Sequence, residues 1–395
     1  MNTTEVDLFT GRRLRRLLIA RGASADADDA MLLSEARSPR HKLGATLLSA
    51  WAAERRNLPP GGAENLAAHR SRADFYERLA RTLGERAAVR IVKGPDIAAR
   101  YPKDVVRAAG DLDLICDGQD DLWSVVRTLL DRSWEVTAFT VLPGSRRESR
   151  WNDLMVELRT PERERLGVPY VVGISTVDVA TSLNTAVRTL PAAARSGTCG
   201  SLVALAAERF ERPFASRDLL DAVLLTNSSS DVELGLLEEA LTEIGLWPEW
   251  LELCKRVARA DLGGLPLADR ARGLAARDRA RRVLRSLRGW RPLQVPGRIA
   301  ATTVDADRGR VADWVSLVVH ERIGVRRLMS AGLAAYGIPL DDNRYRGFEL
   351  VQRRRRTVAL TPIGSFILVG GACRSEWLEE ATDRRPDRAA MRGPE

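Results

Sequence analysis

The chain has 395 residues, is 45% hydrophobic and carries a formal net charge of +9, enough apolar material for a sizeable core and a basic balance that invites a polyanionic partner. Its four cysteines show no Cys-x-x-Cys spacing and its three histidines do not cluster, which argues against a zinc site, a disulfide framework and Ser-His-Asp or Cys-His catalysis. No run of about 18 apolar residues and no N-terminal apolar signal core are present, so a cytoplasmic chain without a membrane segment is expected.

Residues 1–87 read as a helical region. Apolar residues recur at three and four spacings in LFTGRRLRRLLIA, KLGATLLSAWAA and RADFYERLARTL, and NLPPGG at 57–62 breaks the pattern. Nothing there ties to chemistry, so a support for the core is expected. The core, 88–198, opens with an apolar strand at 88–92. Lys93 and Gly94 end it, and Pro95 sits where a short helix at 96–101 begins. After Gly110 a second strand, 111–116, carries Asp111 and Asp113 on one face. A helix at 119–132, strands at 134–142 and 153–158, a polar connection at 143–151 and a strand within 168–177 follow.

Residues 199–260 are again helical, with periodic segments at 202–210, 216–225, 231–244 and 248–258 and a serine run at 228–230 suited to capping. Region 261–381 starts with a linker at 261–269 and a basic helix at 270–287. A second linker at 290–296, a helical pair at 311–336 and short strands at 348–351, 357–360 and 365–369 complete it. The tail, 382–395, is charged and Pro-containing. The fold class expected is α+β, with a small mixed sheet flanked by N- and C-terminal helical regions.

Two carboxylates side by side on a strand repel each other unless a cation sits between them, and hard cations such as Mg²⁺ take oxygen ligands. Glu157, in the apolar strand LMVELR, needs a partner and is the third candidate carboxylate; Asp153, on the same face, is its alternative. Of 62 basic residues 58 are arginine, a bias that also follows from GC-rich coding. The scarcity of lysine singles out Lys93 beside the glycine turn, where an ammonium reaches phosphates as a point charge.

Lys93-Gly94, Arg107-x-x-Gly110-Asp111-Leu112-Asp113-Leu114 and Val156-Glu157-Leu158 together resemble an uncharacterised bacterial nucleotidyltransferase family of the DNA polymerase beta superfamily, over roughly residues 8–255. That family usually has Asp where this chain has Glu157. The resemblance implies a palm-like catalytic sheet. It implies Mg²⁺ on Asp111, Asp113 and Glu157, as a two-ion site. It implies a nucleoside triphosphate, ATP by default, held by Lys93 and Gly94. Arg107 is a phosphate clamp, a support for the aspartates or a structural ion-pair partner. Asp218 shares a helix face with Asp221, in a second stretch resembling the family, and contacts nucleotide or acceptor, or belongs to a salt-bridging face.

The expected activity is transfer of a nucleoside monophosphate to an acceptor hydroxyl on a small molecule, a peptide or protein, or RNA, with release of pyrophosphate. Two alternatives stand beside it. One is a toxin-like enzyme that modifies RNA or tRNA, for which the basic helix and Arg353–Arg356 supply the charge. The other is an inactive binding module on the same fold.

Overall fold

The computed structural model describes residues 8–142, 152–161, 164–179, 190, 192–195, 197–210, 212–288, 324–330, 334–370 and 373–382. Four helices come first: α1 (Gly11–Ala20), α2 (Asp29–Arg37), α3 (Gly44–Ala53) and α4 (Gly62–Gly84). Thr10 caps α1 through the Arg13 amide and Asp28 caps α2 through the Met31 amide. The central part runs β1 (Val89–Val92), α5 (Gly94–Ala98), β2 (Leu112–Cys116), α6 (Gln119–Leu130), β3 (Glu135–Leu142), β4 (Asp153–Arg159) and β5 (Val171–Ser175). Helices α7 (Gly197–Ala207), α8 (Ser216–Asn227), α9 (Asp231–Ile244), α10 (Trp247–Arg259) and α11 (Ala268–Arg288) follow. The chain then adds α12 (Val325–Ser330), β6 (Ala335–Asp341), β7 (Glu349–Arg353), β8 (Arg356–Thr361), β9 (Gly364–Val369) and α13 (Ser375–Thr382).

All nine strands join one sheet in the order β1-β2-β5-β4-β3-β6-β9-β8-β7. Among the described residues only β2 and β5 pair in parallel; every other neighbouring pair is antiparallel. The mixed α/β character agrees with the sequence reading, but the sheet is not small. The short strands expected at 348–351, 357–360 and 365–369 correspond to β7, β8 and β9. The strand that attaches them, β6, was not expected, because its sequence AYGIPLD carries Gly and Pro, both poor strand formers. Gly337 is needed there: a Cβ would lie 2.5 Å from the Phe139 ring on β3. The register shifts between Pro339 and Asp341, where the missing N–H is accommodated. The helical pair expected at 311–336 is therefore corrected at its end, since Tyr336 is in β6; residues 311–323 lie outside those described, as do 143–151 and 383–395.

Alternation along the strands sorts the sheet's two faces. Leu112 and Leu114 of β2, Val172 and Ile174 of β5, and Leu154, Val156 and Leu158 of β4 pack with Tyr76 and Leu83 of α4 and Leu122 and Leu129 of α6. A second core unites α1–α3 with α7–α11. A third sets Trp377 of α13 against Val358, Ile367 and Val369. Among the described residues no helix is long and apolar enough to cross a membrane.

Candidate active site

The face of the sheet opposite the α4–α6 core carries the acids. In register, Asp113 on β2 stands beside Gly173 on β5, and Gly173 beside Glu157 on β4. Asp113 and Glu157 are thus two strand spacings apart on one face, roughly 9.6 Å between Cα atoms. Gly173 keeps the space between them open. A Cβ on Gly173 would come within 2.9 Å of Asp113 Oδ1, so the Asp113 carboxylate leans over the glycine. Asp111 precedes β2, which starts at Leu112 rather than at Asp111 as the sequence suggested. It is exposed, and it lines the same cavity as Asp113. Glu157 is exposed on the open face, and its Oε1 accepts a hydrogen bond from Thr137 Oγ1 at 2.6 Å. Thr137 lies in the register shift of β3, between Val136 and Ala138. Asp153, four residues along β4, accepts from Thr176 Oγ1 at 3.3 Å.

The segment entering β2 has no regular structure, so its backbone carbonyls need side-chain partners. Helix α3 holds Val106: Thr46 Oγ1 donates to its carbonyl at 3.0 Å, and Ser49 Oγ accepts from its amide at 3.0 Å. Arg217 Nη1 donates to the Ala108 carbonyl at 2.8 Å. Arg72, on α4 and only 2% exposed, donates Nε to Ala109 O at 2.9 Å and Nη2 to Gly110 O at 2.7 Å. It also donates to Pro169 O at 2.8 Å, pairs with Glu164, and lies over the Tyr170 ring. One buried guanidinium therefore ties the approach to β2 to the approach to β5, the two strands whose register sets Asp113 beside Gly173.

Arg107 points the other way. Its guanidinium meets Asp221 of α8, with Nη2 to Oδ2 at 2.8 Å and Nε within 3.1 Å of both oxygens, and Tyr101 Oη donates to Asp221 Oδ1 at 2.6 Å. Asp221 is fully buried, so the pair is a structural anchor of this segment. Burial opposes the charge on Arg107, but Asp221 outweighs it and the guanidinium stays protonated well above its ordinary range. Arg107 reaches the cavity wall while committed to Asp221.

The turn after β1 is built on strained backbone. Lys93 has φ +60° and ψ −126°, and Gly94 has φ +34°. A left-handed non-glycine residue costs about 1 kcal/mol or more and persists where the surroundings enforce it. The Lys93 ammonium pairs with Glu208 just after α7; Glu208 also meets Arg212 at 2.9 Å, and Arg212 meets Asp218 at 2.6 Å. Burial pushes the Glu208 carboxyl up, yet Lys93 and Arg212 hold it below the usual carboxylate range. Asp218 is buried and likewise held down, against its burial, by Arg212. Asp218 Oδ2 also accepts from the Ala215 amide at 2.6 Å, capping α8. It belongs to the salt-bridging face among the readings the sequence left open.

Lys93, Gly94, Arg107, Asp111, Asp113, Glu157 and Asp218 all line a single cavity of about 900 Å³. Asp111, Asp113 and Glu157 reach it from the sheet side, Lys93 from the turn after β1, and both acids and cations from the helices. Sequence reasoning missed Gly173, Glu208 and the contribution of the N-terminal helical region, from which Arg37, His69 and Arg72 on helices and Lys42 on the α2–α3 turn enter the wall. A glycine inside an otherwise apolar strand was the one signal for Gly173; the others arise from packing between distant segments. Among the described residues no three His, Cys, Asp or Glu side chains stand close enough to hold a metal ion as they are. Glu157, engaged by Thr137, shares the cavity with the aspartates and does not share a common ligand point with them.

Within the basic stretches several arginines are paired, while Arg277 and Arg279 of α11 are exposed. On α11, Arg270 pairs with Glu238, Arg272 with Asp269 and Arg281 with Asp278. Arg353–Arg356 forms the β7–β8 turn, with Arg356 paired to Glu380 at 2.6 Å and lying over Trp377. Comparison with known proteins returns no match: no family model, no curated protein and no solved structure is similar to the chain.

Proposed function

We propose that the chain is a Mg²⁺-dependent nucleotidyltransferase, moving a nucleoside monophosphate from a triphosphate, ATP by default, to an acceptor hydroxyl on a small molecule, a peptide or RNA. The observation that carries this reading is one cavity bordered by Asp111 and Asp113 from the sheet and by Lys93 and Gly94 from the preceding turn. The donor set suits a hard cation, and Gly173 leaves open the space over which Asp113 leans. Asp111 and Asp113 would hold the metal, with Glu157 joining after it leaves Thr137. When bound, Mg²⁺ supplies charge neutralisation at the phosphates and a lowered pKa for the acceptor hydroxyl.

The chain's own residues do the rest. Lys93 exchanges Glu208 for phosphate oxygens, offsetting charge as pyrophosphate departs. Gly94, with no atom within 4 Å of where its Cβ would be, lets phosphate approach the backbone. Glu157, exposed at the cavity, accepts the acceptor's proton. Arg72 and Arg107 act through position, fixing the segment that ends at Asp111. Labelled-nucleotide transfer tests the reading. Asp111→Asn or Asp113→Asn should lower transfer by more than the roughly 10–100-fold that loss of an outer-shell partner brings. Full transfer by either variant rejects the assignment.

The hydrogen bond from Thr137 to Glu157 favours one second reading, a nucleotide-binding module without catalysis. Calorimetry with Mg-nucleotides separates the two when set beside the transfer assay: binding without transfer supports the module.

A further inference from the structure

We propose that Lys42 and Arg217 form a second phosphate-binding position on the helical side of the cavity, distinct from the one at Lys93. The inference rests on the nucleotide reading for the identity of the anion, though not for its place.

Only four of the 62 basic residues are lysines, and two of them, Lys42 and Lys93, line this cavity. Both sit on left-handed backbone, Lys42 with φ +54° and Lys93 with φ +60°. The α2–α3 turn that carries Lys42 is held rigidly. Its amide donates to Ser38 O at 2.9 Å, and the next amide, of Leu43, donates to Ala36 O at 2.7 Å. The carbonyls of Arg40 and His41 accept the first amides of α8, from Ser216 at 3.1 Å and Arg217 at 3.0 Å. His41 is buried and its Nδ1 meets Ser216 Oγ at 2.7 Å. Lys42 and Arg217 are therefore fixed next to each other by backbone hydrogen bonds, from segments 175 residues apart in sequence.

Like charges held together need an anion between them or carboxylates beside them. The nearby carboxylates are taken: Glu208 by Lys93 and Arg212, Asp218 by Arg212 and the Ala215 amide. Arg217 Nη1 is committed to the Ala108 carbonyl and its nearby acids Asp221 and Asp218 are engaged by Arg107 and Arg212, while Arg217 Nε is a buried donor with no acceptor. Burial, then Arg212 and Arg217, draw the Lys42 ammonium below its ordinary pKa, the condition a bound anion relieves. A phosphate group suits the remaining N–H donors of Arg217, those not spent on Ala108, together with the point charge of Lys42. Its source is either the terminal phosphates of the nucleotide or a phosphate on the acceptor.

The test uses the full chain and inorganic tripolyphosphate in EDTA, followed by calorimetry, so that no metal and no aspartate ligand is needed. Wild-type protein binds, Lys42→Met weakens binding about tenfold or more, and Lys42→Arg restores most of it. Lys255→Met, on the exposed side of α10, changes nothing. A Lys42→Met protein that binds tripolyphosphate like wild type overturns the proposal, as does a wild type that does not bind it or a Lys42→Arg as weak as Lys42→Met. Metal-free ATP gives the second arm. Equal weakening by Lys42→Met assigns the position to the nucleotide's phosphates, and weakening for tripolyphosphate alone assigns it to the acceptor. If nucleotide transfer is absent while Lys42-dependent phosphate binding stands, the transferase reading falls and this position remains.

Discussion

Gly173 sets how closely the acids can be approached. Its φ is not in the left-handed region, so the backbone accepts alanine there. The new Cβ would meet only the end of the Asp113 side chain, at 2.9 Å, which can turn aside. Gly173→Ala should therefore leave the melting temperature within a few degrees of wild type while weakening Mg-nucleotide binding about tenfold, measured by scanning calorimetry and titration. Unchanged binding would mean that the space above Gly173 is not used. At this scale the sequence was partly legible. The pair Asp111 and Asp113, with Lys93 and Gly94, could be picked out because charge repulsion and turn geometry act within a few residues. Gly173 could not be paired with Asp113 from sequence, since strand register is a long-range property. Nor could the bond from Thr137 to Glu157, which depends on a register shift in β3.

The docking of the α2–α3 turn on α8 is the element that places Lys42. Its centre is His41, buried against Ser216, with Arg40 and Arg21 nearby and Glu35 at 3.9 Å. Burial, then Arg40 and Arg21, lower its pKa to about 4, against the opposing pull of Glu35. Between pH 6.5 and 4 the unfolded chain takes up a proton at this residue and the folded chain does not. Stability from His41 is therefore complete above pH 6.5 and falls as the pH drops, by about 3 kcal/mol at most. Urea unfolding of wild type and His41→Gln at pH 7 and pH 4.5 reads this out. Wild type should lose more stability on acidification than the variant, and parallel losses would contradict the account. Helix periodicity made α1–α4 legible as elements. Their role was hidden, because Arg37, Lys42, His69 and Arg72 join the cavity only through tertiary packing.

Among the described residues, one nine-stranded sheet carries the acids on a face opposite its α4–α6 core, and cations join the cavity from the β1 turn, the α2–α3 turn and helices α4 and α8. Strand alternation made that sidedness readable for β2 and β4, whereas β6 and the full width of the sheet were concealed by Gly337 and Pro339. The seven residues read as a site from sequence lie on one cavity, yet three carboxylates do not meet at a point among the described residues. The central claim is thus that a divalent ion and a triphosphate together gather Asp111, Asp113 and Glu157. Manganese paramagnetic resonance, titrating Mn²⁺ into the protein with and without a non-hydrolysable nucleotide, measures this directly. The account predicts protein-bound Mn²⁺ whose affinity rises when nucleotide is present and is lost in Asp113→Asn. Manganese binding that is the same in wild type and Asp113→Asn, with or without nucleotide, would contradict it.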